Sequence, residues 1–198
     1  MNKANAIALA LGVLHIPAVS MAAQQSVAGA DSPASKMLIY ISPQEYSHPV
    51  LLRHPYYRYW FEQGPRVEAL AKKEFGAKFD DVTMCEGNAN ANAVVWLKPS
   101  MFYNPVARTY YGKIVAEVFA GDGKPLGTFT ANARRVGSID INTANLVNAT
   151  YDSAINDIVS QLAADQGLQS VLSKDGVVAS IPCATVSLYS RDKPFSFY

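Results

Sequence analysis

The stretch TYYGKIVAEVFAGDGKPLGTFTANARRV, residues 109–136, decides the fold. Its first half alternates. Tyr110, Ile114, Ala116 and Val118 share one face, and Lys113 and Glu117 the other. That is the period of two of a strand with one buried side. Gly121-Asp122-Gly123-Lys124 then reads as a hairpin turn, because Asp-Gly supplies the positive φ that tight turns need. The returning run, 126–136, puts Phe129, Ala131 and Ala133 on one face and Thr128, Thr130, Asn132 and Arg134 on the other.

Working outward, residues 93–103 (AVVWLKPSMFY) form a third strand of the same antiparallel group. Pro99 has no N–H to give, so this strand is expected at an edge or bulged there. In KMLIYI, residues 36–41, Met37, Ile39 and Ile41 share one face and Leu38 and Tyr40 the other. Both faces are apolar, which predicts a central strand. A short strand is read over 79–85 and another over 176–182, with a loop at 87–92. Val67, Leu70, Ala71 and Phe75 mark an amphipathic helix opened by Gly64-Pro65. The strongest helical period lies in 143–164, where Val147, Tyr151, Ala154, Ile155, Ile158, Val159 and Leu162 recur. The expected fold is α+β: a two-layer sandwich whose mainly antiparallel sheet of about four to five strands carries two helices packed on one face. One domain is expected over 37–183, followed by a C-terminal tail over 184–198.

The N-terminus reads as an export signal over residues 1–23. Lys3 gives a short positive region, AIALALGVL (6–14) an apolar run, Pro17 a break, and Ser20, Ala22 and Ala23 small residues. Nine apolar residues fall far short of the roughly 20 a bilayer core demands. Cleavage is expected after Ala22 or Ala23, the former preferred because Ser20 then occupies the small-residue position. A small, polar leader, 24–36, is expected to be flexible.

Composition narrows the function. The chain has 198 residues, 49% hydrophobic and 17% charged, which excludes a polyelectrolyte, a collagen-like chain and a multi-span membrane protein. Seventeen Lys and Arg stand against sixteen Asp and Glu, and Lys3 leaves with the signal, so the remaining chain is formally neutral. Nucleic-acid binding through phosphates needs a basic excess and is not expected. Cys85 and Cys183, in an exported chain, are expected to form a disulfide, with two free thiols as the alternative.

Chemistry-bearing motifs are few. A nucleophile elbow, a paired-histidine zinc helix and a phosphate-binding loop are all missing, and no cofactor motif is found. His48 and His54 stand six apart without further ligands, so no metal site is expected. One segment stands out: seven of the 21 aromatic residues lie between positions 40 and 61. Three prolines there (43, 49, 55) predict a loop. Arg53, Tyr56, Tyr57, Arg58, Tyr59 and Trp60 are the candidate binding residues, because Tyr and Trp offer rigid area with a polar tip and Arg stacks on their faces. The competing reading is that Tyr57, Trp60 and Phe61 merely cover the sheet.

Residues 65–164 run helix, loop, AVVWLKPSMFY, TYYGKIVAEVFAGDGKPLGTF, then a helix rich in Ala and Asp. In this order the chain resembles the small periplasmic α+β domains of bacterial outer-membrane and envelope-assembly lipoproteins, over about half its length. The resemblance implies a non-catalytic envelope role and transfers no site residue. The chain departs from that pattern in having no lipidation cysteine after the signal. The expectation is an exported, periplasmic or secreted, non-enzymatic accessory protein that binds a protein partner in the cell envelope or another envelope component. The alternatives are an exported hydrolase with a scattered Ser/His/Asp site, His48 or His54 its base, and a glycan-binding module.

Overall fold

The computed structural model describes residues 35–86, 89–173 and 182–192, all within one unit spanning 31–198. The expected signal, its cleavage at Ala22 or Ala23, and the leader as far as residue 34 lie outside the described residues. A first strand, β1 (Ser35–Tyr40), takes in the last two residues counted with the leader. It is followed by α1 (Pro43–Ser47), β2 (Pro49–Arg53), β3 (Arg58–Glu62), α2 (Gln63–Gly76) and β4 (Val82–Met84). Then come β5 (Ala91–Asn104), β6 (Thr109–Ala120), β7 (Pro125–Val136), α3 (Thr143–Ala164), α4 (Gln166–Leu172) and α5 (Pro182–Asp192).

The five-stranded sheet has the order β4-β1-β5-β6-β7. β1 is central, as its two apolar faces require, and runs parallel to β4 on one side and β5 on the other. The β5-β6-β7 meander is antiparallel, so most of the paired length is antiparallel. Gly123 takes φ +86° in the β6–β7 turn, the conformation its missing Cβ permits. Pro99 proves harmless: β5 pairs with β1 only up to Trp96, so beyond it one side of β5 has left the ladder.

The α+β architecture therefore stands as read, with one addition. One face of the sheet meets α2 and α3 through Met37, Ile39, Leu97, Ile114, Val67, Phe75, Tyr151 and Ile155, all fully buried. The other face is covered in part by α5, where Cys183 and Val186 pack on Leu38, Val94, Trp96 and Phe119. The segment read as a tail from 184 is thus helical as far as Asp192, and Pro182, placed at the end of a strand, opens that helix. The rest of the strand read at 176–182 lies outside the described residues. Cys85 and Cys183 are disulfide-bonded, Cα atoms 5.7 Å apart, and fasten α5 to the end of β4.

The loop expected across 44–61 is instead a helical turn and a hairpin. The prolines punctuate rather than forbid structure here. Pro43 is the first residue of α1, where no N–H is needed, behind a Ser42–Glu45 capping box. Pro49 opens β2, and Pro55 sits second in the turn closed by mutual backbone bonds between His54 and Tyr57. α2 starts at Gln63, so Pro65 is its third residue, still inside the first turn where N–H groups have no helical partner.

Close backbone packing sets α1 against α2. A Cβ on Gly64 would lie 2.4 Å from the Tyr46 Cα and carbonyl oxygen, so α1 and α2 touch only because position 64 lacks one. Gly64→Ala is expected to destabilise the protein by about 1–3 kcal/mol, by forcing backbone apart. Gly76→Ala, whose Cβ would meet nothing, should be neutral or stabilising by up to ~1 kcal/mol. Urea unfolding of the two variants checks the pair. Replacing both cysteines by Ser should cost up to about 4–5 kcal/mol, with reductant acting on the wild type alike.

Candidate functional site

Alternation along the hairpin sorts the aromatic segment into two populations. Leu52 and Phe61 point inward and are buried, with Val50 and Tyr59 half-buried beside them. Arg53, Arg58, Trp60 and Glu62 are exposed on the outer side. Tyr56 and Tyr57 occupy the turn, 85% and 59% exposed, and Trp60 is 58% exposed. Of the six candidate residues, five are therefore displayed and one, Tyr59, is turned toward the core. The competing core-cover reading holds for Phe61 alone among Tyr57, Trp60 and Phe61.

The cross-strand register orders the outer side. Arg53 stands opposite Arg58 next to the turn, Leu51 opposite Trp60, and Pro49 opposite Glu62 at the base. Apolar contact between rungs stabilises such a ribbon, and like charges face to face weaken it. What holds the hairpin is its inner side. Phe61 meets Tyr151 of α3 edge-on, with ring centroids 6.4 Å apart. Tyr151 donates to Gln63 Oε1 at 3.0 Å, and burial pushes its phenol far above the ordinary tyrosine range.

Arg66, one turn into α2, ties three elements. Its Nη1 donates to Asn148 Oδ1 of α3 at 2.8 Å and its Nη2 to the Tyr59 hydroxyl at 3.3 Å, while the guanidinium lies 5.5 Å over the Phe61 ring. Trp60, Glu62, Pro65, Arg66, Leu70 and Asn148 line an open groove of about 520 Å³ beside the hairpin.

His54 belongs to the turn. Its Nδ1 accepts the Tyr56 N–H at 3.3 Å, and its ring stacks on Tyr57 at 5.6 Å and lies 6.4 Å from Tyr103. His48 sits at the far end of β2, at the C-cap of α1. Among the described residues no three His, Cys, Asp or Glu side chains are grouped to hold a metal. Asp80 and Asp81 are exposed, and Asp81 takes φ +50° while its carbonyl accepts the Met37 N–H.

A second polar cluster, which sequence reasoning missed, fastens α1 to β5. Glu45 Oε2 accepts the Trp96 indole N–H at 3.0 Å and the Ser42 hydroxyl at 2.8 Å. Lys98 lies 3.7 Å over the Trp96 ring and pairs with Glu117. Burial raises the Glu45 carboxyl above the ordinary glutamate range, against the opposing effect of the bonds from Trp96 and Ser42. The Ser42-x-x-Glu45 capping box was the local signal that these residues were structured.

No family model and no curated protein sequence matches the chain. Among solved structures, a minor lipoprotein from Acinetobacter baumannii aligns with 65% of this chain and 93% of that one, at 14% identity and a TM-score of 0.40. So distant a likeness assigns neither fold family nor function.

A carboxyl whose pKa is higher in the folded than in the unfolded state binds its proton more tightly when folded. Its contribution to stability is present in acid and is lost as pH rises through the folded value. Glu45 is such a group. The unfolding midpoint of the wild type relative to Glu45→Gln is therefore expected to fall between acid and neutral pH, measured by urea titration across that range. The opposite slope would show that the Trp96 and Ser42 bonds outweigh burial.

Proposed function

We propose that this protein is an exported, non-catalytic accessory protein of the bacterial envelope, periplasmic or secreted, that binds a protein partner or envelope component through the β2–β3 hairpin. The observation that carries the reading is the display of Tyr56, Tyr57 and Trp60 on a hairpin whose other side is anchored in the core. Exposed aromatic groups of this kind mark interaction sites more often than scattered single residues do. The Cys85–Cys183 disulfide supports an oxidising compartment, in line with the export signal read over residues 1–23. No helix among the described residues is long and apolar enough to cross a membrane.

The hydrolase alternative draws no support from His54, whose ring is engaged in its own turn. The glycan alternative has a specific observation behind it: Trp60 borders the groove that also holds the hydrogen-bonded Arg66 and Asn148, an aromatic residue beside planar polar groups.

A photo-crosslinking residue at position 56 or 60, introduced in producing cells, is expected to capture a partner outside the cytosol, whereas one at Thr128 on β7 is not. Replacing both Tyr56 and Trp60 by Ala should lower partner recovery at least roughly tenfold with the unfolding midpoint unchanged. Unchanged recovery would discard the hairpin as the binding surface. The mass of the isolated protein should correspond to cleavage after Ala22 or Ala23 and two fewer hydrogens than the dithiol.

A further inference from the structure

The outer side of the hairpin is graded. Next to the turn, Arg53 and Arg58 face each other across the ladder, and neither guanidinium has a carboxylate partner among the described residues. Such a rung costs stability instead of adding it. Beyond it, Tyr56 and Tyr57 form the turn, and behind it Trp60 stands beside Leu51. The one acid on this side, Glu62, lies at the base, farthest from the turn. The hairpin thus advances two unpaired cations and three amphipathic rings together, on a support fixed by Leu52 and Phe61.

We infer that the turn end of the hairpin docks on a membrane surface carrying anionic phospholipid headgroups, with Arg53 and Arg58 on the phosphates and Tyr56, Tyr57 and Trp60 at the headgroup level. This rests on the reading of the hairpin as the binding surface and names the envelope component. Two features favour a lipid surface over a folded partner. The aromatic group projects, Tyr56 being 85% exposed, and a projecting tip enters a soft interface without needing a matching pocket. Tyr and Trp also favour the zone between water and hydrocarbon, where ring and polar tip are both accommodated. Each Arg near an anionic leaflet adds attraction that salt screens. The chain without its signal is formally neutral, so the attraction depends on this local grouping and not on net charge.

The protein as isolated from producing cells, mixed with vesicles containing about one third phosphatidylglycerol in phosphatidylcholine, is expected to co-sediment at low salt and to dissociate as salt rises. Pure phosphatidylcholine should retain little. The Arg53→Gln/Arg58→Gln variant should lose roughly 20-fold in partitioning while its unfolding midpoint holds or rises, since both residues are exposed and repel each other. Trp60→Ala should also weaken binding, and tryptophan emission should shift to the blue with vesicles in the wild type but not in this variant. Failure of the wild type to co-sediment at low salt, or equal partitioning of the arginine variant, overturns the inference. If position 56 or 60 nevertheless crosslinks to a protein, lipid docking falls and the hairpin stands as a binding surface. If neither vesicles nor a crosslinked partner is found, both readings fall.

Discussion

The structure depends on a strand that is apolar on both sides. Met37 and Ile39 face one side of the sheet, Leu38 and Tyr40 the other, and all four are buried. Such a strand cannot lie at a water-facing surface, so it must sit inside a sheet with both faces covered. Three consequences follow. β4 and β5 flank β1 in parallel, which obliges the chain to cross over, and the crossover carries α1, the hairpin and α2. α2 and α3 cover the first face. α5 covers the second near β1 and β5, returning from the far end of the chain to do so. The disulfide secures that last contact, where a helix with only Cys183 and Val186 buried among its described side chains has little apolar area to offer.

The hairpin inherits its geometry from the same crossover. A segment inserted between β1 and α2 packs one side on the core, and the pleat turns every second side chain outward. Tyr59 and Phe61 supply the packing; Arg58 and Trp60 are displayed because their neighbours are not. Arg66 reinforces this by holding Tyr59, Phe61 and Asn148 together, so the exposed rings stand on a braced support and not on a free loop. A braced support of this sort lowers the conformational cost of any contact made there, since fewer freedoms remain to be lost.

Wherever periodicity was sustained, the sequence was legible. The β6–β7 pair and the long α3 show twelve to twenty-two residues of alternation or helical spacing, long enough for the burial pattern to exceed chance. The aromatic segment was not legible as structure, because its two strands are five residues each and bounded by prolines, which composition reads as loop. α5 was not legible either: only Cys183 and Val186 are buried among its described side chains, too few positions to mark a helix by spacing, and their burial comes from the sheet face they meet. The Glu45–Trp96 bond joins residues 51 apart, and no local pattern links them.

By itself the amino-acid order determined the α+β class, the central place of β1, the pairing of Cys85 with Cys183 and the unusual density of rings between 40 and 61. Those are properties of local period, composition and the count of thiols. Tertiary structure alone decided that the aromatic segment is a hairpin, which of its rings are buried, that Arg53 and Arg58 are brought face to face, and that a third helix covers the opposite side. The physical reason is that facing direction in a short strand is set by what the strand packs against, and for this hairpin that surface is built by β5 and α3, whose residues reach to position 164.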